Sequence, residues 1–267
     1  MSQDTSQTCA RVRVELGEIT RITLDRQPQA NALDWRMGEE LEAAMTLIRS
    51  TADVRVVVLT GAGKHFSSGG DFGFLEENTK LPREQVAARM LRFYQMFLGV
   101  VELPVPTVAV LRGSAIGAGL CLALACDLRV GSLSGRYGMN FLRVGLHPGM
   151  GATALLPHVV GTARASQLVF SCETLDGEQA ARLGLLTDSV SEGELDAAGE
   201  RLAREVARGA PLAAREAVET LRGPLRAALP GALSREASCQ AEDFGTEDVK
   251  RAIEAFRHKR APLFVGR

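Results

Sequence analysis

Gly113-Ser114-Ala115-Ile116-Gly117-Ala118-Gly119 is the stretch on which the fold reading turns. The β-branched run 107–111 leads into it, and an apolar helix over 120–125 leads out. A strand that passes through a glycine-rich turn into a helix presents bare backbone N–H groups beside a helix N-terminus. That combination suits negative charge, either a bound phosphate or an oxyanion formed during a reaction. The same pattern occurs upstream. Residues 54–60 form a continuous β-branched run, the mark of a buried parallel strand. Gly61 stops it, and Phe66-Ser67-Ser68-Gly69-Gly70-Asp71 follows. In either loop the glycines also serve tight turns and close helix packing.

Outward from these loops, residues 11–15 and 19–25 alternate apolar and polar around Gly17 and predict a hairpin. Asn31 and Asp34 are placed to cap a helix through Leu41, Met45 and Ile48. A helix is expected over 83–100, ended by Leu103-Pro104-Val105-Pro106, and a short strand over 127–130. Gly145-Leu146-His147-Pro148-Gly149-Met150-Gly151 makes a third turn. Beyond residue 160 the pattern is helical, over 163–170, 177–183, 192–207, 211–221 and 246–257. Strands alternating with helices, then helices alone, predict an α/β core with a helical C-terminal portion.

At 267 residues the chain is one large domain, or a domain with a small appendage. With 31 basic against 32 acidic side chains it has no electrostatic footprint for nucleic acid or an anionic membrane. No apolar run reaches the roughly 18 residues of a spanning helix. Met1 to Ala10 is polar, so no signal peptide is expected. The five cysteines, Cys9, Cys121, Cys126, Cys172 and Cys239, are odd in number and scattered. That suits a reducing cytoplasm rather than a disulfide framework. Neither they nor the four histidines show metal-ligand spacing. Gly61-Ala62-Gly63-Lys64 has the wrong spacing for a phosphate loop. Gly117-Ala118-Gly119 lacks the third glycine of a dinucleotide fingerprint.

Taken in order, the two loops resemble the two oxyanion segments of the crotonase (enoyl-CoA hydratase/isomerase) family. Asp25-Arg26 with Asn31-Ala32-Leu33 is similar to that family's N-terminal signature. Gly145, Pro148, Gly149 and Gly151 match its third turn, and the tail from Phe256 to Pro262 resembles its C-terminus. The resemblance implies a spiral of ββα units over 1–200 and a helical trimerisation region over 201–267. It also implies a homotrimer or dimer of trimers acting on an acyl thioester of coenzyme A or of a carrier protein. No cofactor is implied beyond coenzyme A as part of the substrate. The N–H groups of Ser68 and Ala118 are expected to form the oxyanion hole, with Phe66, Gly69 and Gly117 beside them. Arg26, Gln29, Ala30, Phe256 and Lys259 are the expected contacts to the coenzyme.

The departures from the family pattern bear on the chemistry. The two glutamates that position water in the hydratases fall at Cys121 and Phe141, and a further acidic position falls at Gly149. A positioned acid or base contributes about 100- to 10,000-fold, so ordinary hydration is not expected. Asp71 and His147 are the candidate replacements. Each also has a plain structural reading, Asp71 as a helix N-cap and His147 as a hydrogen-bonded turn residue. Cys121 reads as a small core residue unless its thiolate is stabilised. Isomerisation needs one base. Decarboxylation of a malonyl-type thioester needs mainly the oxyanion hole. An atypical hydratase and a thioester-binding protein without turnover are the alternatives.

Overall fold

The computed structural model describes residues 10–267. Cys9 and all but the last residue of the polar stretch Met1 to Ala10 lie outside the described residues. The expected hairpin forms as β1 (Val12–Glu15) and antiparallel β2 (Ile19–Leu24). Asp34 caps α1 (Trp35–Arg49), its side chain accepting the Met37 N–H. Met37, Leu41, Ala44, Met45 and Ile48 form the buried face of α1 at helical spacing. Asn31 does not cap α1. It sits at φ 53° and ties two loops together, accepting from Arg26 N and donating to the carbonyls of Ala62 and His65.

β3 (Val56–Gly61) is followed by α2 (Phe72–Asn78), α3 (Arg83–Leu98) and β4 (Thr107–Leu111). Then come β5 (Ser114–Ile116), α4 (Ala118–Leu124), β6 (Leu128–Ser132) and β7 (Arg136–Gly138). The chain continues through α5 (Ala152–Val160), α6 (Thr162–Ser171), β8 (Thr174–Leu175), α7 (Gly177–Arg182) and β9 (Asp188–Val190). It ends in α8 (Leu195–Ala207), α9 (Pro211–Asp243) and α10 (Glu247–Arg257). One six-stranded sheet runs β1-β2-β3-β4-β6-β9, parallel apart from the β1–β2 pair. A three-stranded sheet, β5-β7-β8, lies beside it.

The β-branched strands divide by parity. Val56, Val58, Val108, Val110 and Val130 pack against Leu195, Ala198 and Ala203 of α8. Val57, Leu59, Ala109 and Leu111 face the larger core with α1 and α3. Both faces are thus buried, which a period-2 strand achieves only when apolar at every position. Each buried valine contributes about 1.5 kcal/mol or more from removal of apolar surface.

Three expectations are corrected. The glycine-rich segment 113–119 contains β5, which pairs with β7. Residues beyond 160 include the short strands β8 and β9 as well as helices. The helix expected to end at residue 221 continues to Asp243, through Pro224 and Pro230. A row of Leu225, Leu229 and Leu233 buried against the core holds it helical past those prolines. Residue 200, where the spiral core was expected to give way to the C-terminal region, lies within α8, which packs on the sheet.

α9 is anchored by a buried ion pair. Arg222, only 4% exposed, reaches Asp127 and donates to the carbonyls of Val101, Leu103 and Val105. Asp127 in turn accepts from the N–H and hydroxyl of Thr107 at the start of β4. Burial alone would raise the Asp127 pKa, but hydrogen bonds and charge from Arg222 and bonds from Thr107 bring it below the ordinary 3.8. A depressed folded value makes this stabilisation complete above the unfolded pKa and lost as pH falls through the folded one. Arg222→Met leaves the half-buried Asp127 carboxylate without its cation and should lower the unfolding free energy by about 2–3 kcal/mol at neutral pH. In urea titrations, the stability gap between wild type and Asp127→Asn should be constant above about pH 5 and narrow on further acidification.

Candidate active site

The site is built where the two glycine loops touch. Ser67 N donates to Ser114 O at 3.0 Å and Ile116 N to Ser67 O at 3.1 Å, so the first loop lies along β5 as a one-residue parallel bridge. The approach is close because Gly119 has no side chain: a Cβ there would fall 2.6 Å from the Cβ of Ser67. Gly69, at φ +104°, is equally constrained, since its Cβ would meet the Ile116 carbonyl at 2.9 Å. The Ser67 hydroxyl donates to Asn31 O, which fixes the loop from its other side.

The backbone donors of this junction are unevenly committed. Ser68 N–H donates to Ala30 O at 2.9 Å, and Gly69 N–H to the Ser67 hydroxyl. Asp71 N–H donates to Leu33 O. Gly70 N–H has no acceptor among the described residues and lines the cavity. Ala118 is the first residue of α4, where an N–H has no acceptor within the helix, and it lines the same cavity. The pair of uncommitted donors is therefore Gly70 and Ala118. The expectation for Ser68 is corrected by its bond to Ala30, while Ser68 itself remains in the wall.

The cavity has two adjoining chambers whose walls share Ser68, Gly70, Phe72, Asn140 and Val144. The inner chamber, about 60 Å³, has walls of Phe74, Met90, Phe93, Phe141, Leu146 and Met150. Its polar side chains are Ser68, Tyr94, Asn140 and Gln240, with no Asp, Glu, His, Lys or Arg lining it among the described residues. The outer groove, about 540 Å³, is lined by Gln29, Ala30 and Asp71 on one side and by Arg143, Phe256 and Arg260 on the other. Phe256 of α10 stacks on Phe72 of α2, with ring centroids 3.7 Å apart.

Asp71 is the N-cap of α2, accepting the Phe74 N–H at 3.0 Å. It also holds Arg26, Nη1 to Oδ2 at 2.6 Å. Burial would raise its pKa, but the Arg26 hydrogen bond, the Phe74 N–H and the Arg26 charge bring it below the ordinary carboxylate value. It is thus a structural anion at the rim, a weak base committed to a cap and an arginine. His147 lies outside both chambers. Its N–H donates to Asp243, and its Nδ1 is 2.6 Å from Pro148 O. Cys121 is fully buried behind the wall, and burial pushes its thiol well above the usual value, with the Glu236 charge adding to the effect. Phe141 does face the inner chamber.

Of the expected coenzyme contacts, Gln29, Ala30 and Phe256 line the outer groove. Arg26 is turned to Asp71 and Asp34 instead. Phe66 is core, and Lys259 lies on an exposed turn, where Arg260 takes the groove position. Arg83, Arg89 and Arg92 pair with Glu242, Glu77 and Glu42 and do not line the groove. Gln240 and Tyr94 were not foreseen as site residues. Gln240 lies on the part of α9 hidden behind Pro224 and Pro230, where the seven-residue step from Leu233 was the available signal. Among the described residues, no group of three His, Cys, Asp or Glu is placed to hold a metal. No described helix is long and apolar enough to cross a membrane.

Parallel core strands feeding two glycine loops that meet over one chamber define a crotonase-like fold. The family described as Enoyl-CoA hydratase/isomerase matches residues 15–267. A probable enoyl-CoA hydratase of Rhodobacter capsulatus is 35% identical over 262 residues, covering 96% of this chain and 98% of that protein. The mouse mitochondrial enoyl-CoA hydratase domain-containing protein 2 is 35% identical, over 93% of this chain and 85% of its own. The crystal structure of an enoyl-CoA hydratase from Mycobacterium avium subsp. paratuberculosis superposes with a TM-score of 0.85 at 28% identity, covering 96% and 99% of the two chains. The chain belongs to the enoyl-CoA hydratase/isomerase family.

Arg26→Met removes the partner that keeps Asp71 ionised. In a carbon-13 NMR titration of the carboxyl groups, the Asp71 midpoint should rise above its wild-type value, because burial then acts unopposed by that charge. An unchanged midpoint would show that the cap bond alone sets it.

Proposed function

We propose that this protein acts on acyl thioesters of coenzyme A by stabilising an enolate, and that its reaction is decarboxylation of a malonyl-type acyl group. The observation that carries this reading is the composition of the inner chamber. Two uncommitted backbone donors, Gly70 N–H and Ala118 N–H, meet there with no ionisable side chain except Tyr94. Burial keeps the Tyr94 phenol protonated, its pKa well above the ordinary value.

In the proposed reaction the thioester oxygen accepts hydrogen bonds from Gly70 N–H and Ala118 N–H. The bond from C2 to the carboxylate breaks, and carbon dioxide departs. The electron pair moves into the C1–C2 bond, and the negative charge settles on the oxygen held by the two donors. A proton from solvent then completes C2. The apolar wall at Phe141 favours loss of charge from the carboxylate, since an unpaired charge is costly beside it. Isomerisation is less well supported, because its candidate bases are elsewhere: Asp71 is bound to Arg26, and His147 is outside the chamber.

Hydration is the second reading, supported by the names of the relatives and by Asn140. The side chain of Asn140 lines both chambers and makes no hydrogen bond among the described residues, so it can hold a water. The outer groove, with Arg143 and Arg260 on its wall, supports binding of the coenzyme phosphates.

The test is NMR in heavy water with malonyl-, methylmalonyl- and crotonyl-CoA. Carbon dioxide release with one deuterium at C2 is the expected result. Gly70→Pro deletes the donor while leaving the Gly69 and Asp71 backbone bonds to Leu33 in place. It should slow the reaction about 100- to 1,000-fold, with thioester binding retained. Hydration of crotonyl-CoA at about 1 s⁻¹ or faster, with both malonyl thioesters unchanged, would overturn the decarboxylase reading.

A further inference from the structure

The floor of the inner chamber is a matched polar pair rather than a side chain of the third glycine turn. A Cβ on Gly149 would fall 2.6 Å from Nε2 of Gln240 and 2.6 Å from the Tyr94 hydroxyl oxygen. The space a residue at 149 would fill is therefore taken by an amide from α9 and a phenol from α3. Both residues are buried and both line the chamber.

Their hydrogen bonds can be assigned completely. The carbonyl of His147 lies 2.6 Å from one terminal atom of the Gln240 amide, and a carbonyl can only accept. That atom is the NH₂ group. The other is Oε1, 2.7 Å from the Tyr94 hydroxyl, so Tyr94 must donate its proton there. Two capacities remain: the second N–H of Gln240 and the lone pairs of the Tyr94 oxygen. The floor thus offers one donor and one acceptor side by side.

We infer that Tyr94 and Gln240 select a short acyl group ending in a hydroxyl, a group that accepts from Gln240 and donates to Tyr94. This rests on the thioester reading above. A methyl terminus would leave both capacities unsatisfied in a buried site. A carboxylate reaching the floor would face the Tyr94 lone pairs with no cation lining the chamber, so in the reading above the carboxylate lost from C2 lies against Phe141 and the hydroxyl ends the remaining chain on C2. Depth limits the chain length. The Gly149 carbonyl lies 3.6 Å from the sulfur of Cys121, three residues along α4 from Ala118. The floor therefore lies beside the first turn of α4, at a depth of about one helical turn or less from the donor of Ala118. That depth and a cavity of about 60 Å³ admit an acyl chain of only a few atoms past the carbonyl.

The test is calorimetric titration of the full-length protein with 4-hydroxybutyryl-CoA and pentanoyl-CoA, which differ only by a hydroxyl in place of a methyl. Neither carries a carboxylate to lose, so binding is read without turnover. The hydroxylated thioester should bind about 10-fold more tightly. Tyr94→Phe and Gln240→Met should each abolish or reverse that preference while still binding pentanoyl-CoA. Two variants guard against one failing to fold, and thermal melts identify any that does. Equal wild-type affinity for the two thioesters, or an undiminished preference in folded Tyr94→Phe, would overturn this inference and leave the thioester reading standing. Failure of wild type to bind either thioester would overturn both.

Discussion

The contact between Ser67 and Gly119 is the constraint on which the rest of the site depends. Two backbone segments from different strands of the core approach until no side chain fits between them. Only then do the N–H groups of Gly70 and Ala118 face one space. The parallel sheet makes the approach possible, because β3 and β4 are neighbours and deliver their C-terminal loops to the same end. A methyl group at position 119 would push the first loop away from β5 and break the bridge between Ser67 and Ala115. The loop is held from the other side by Asn31, whose side-chain amide accepts from Arg26 N–H and donates to the carbonyls of Ala62 and His65, and whose backbone carbonyl accepts from the Ser67 hydroxyl. The geometry of the chamber is thus set by buried backbone contacts.

Much of this was legible in the sequence. Runs of β-branched residues marked β3 and β4 because such strands are covered on both faces. Glycine spacing marked the two loops, while Asp71 carried both a catalytic and a cap reading, and the cap is the one that forms. The identity of the first donor was not legible. Ser68, Gly69 and Gly70 are equally plausible in sequence, and only pairing of the loop with Ala30 and Leu33 leaves Gly70 uncommitted. The extent of α9 was hidden for a different reason. Gly223-Pro224 is a strong local stop, but Arg222 and the leucines beyond it are bound into the core, and that packing outweighs the local preference. Hiding α9 also hid Gln240.

The same logic explains why the chamber is poor in acids without being poor in polar groups. Glu236 and Asp243, each about one helical turn from Gln240, are the acidic residues of α9 that bond to the third glycine turn and the start of α5. Both are occupied by backbone: Glu236 accepts from Gly151 and Thr153 at the start of α5, and Asp243 accepts from His147. Burial raises the pKa of each, opposed by these bonds. Their carboxylates hold the third glycine turn in place, and the neutral amide between them is the one that reaches the cavity.

The single rod of α9 carries Arg222 at one end and Gln240 nearer the other, eighteen residues or about 27 Å apart along its axis. It acts as a gauge between the edge of the sheet and the bottom of the chamber. Loops can vary in length without consequence for what they flank, but this gauge cannot. One residue inserted between those two positions would turn the amide by about 100° away from Tyr94 and advance it by about 1.5 Å. The chamber lining that this helix supplies can therefore change by exchange of side chains at fixed stations, whereas a change of length between Arg222 and Gln240 would displace it.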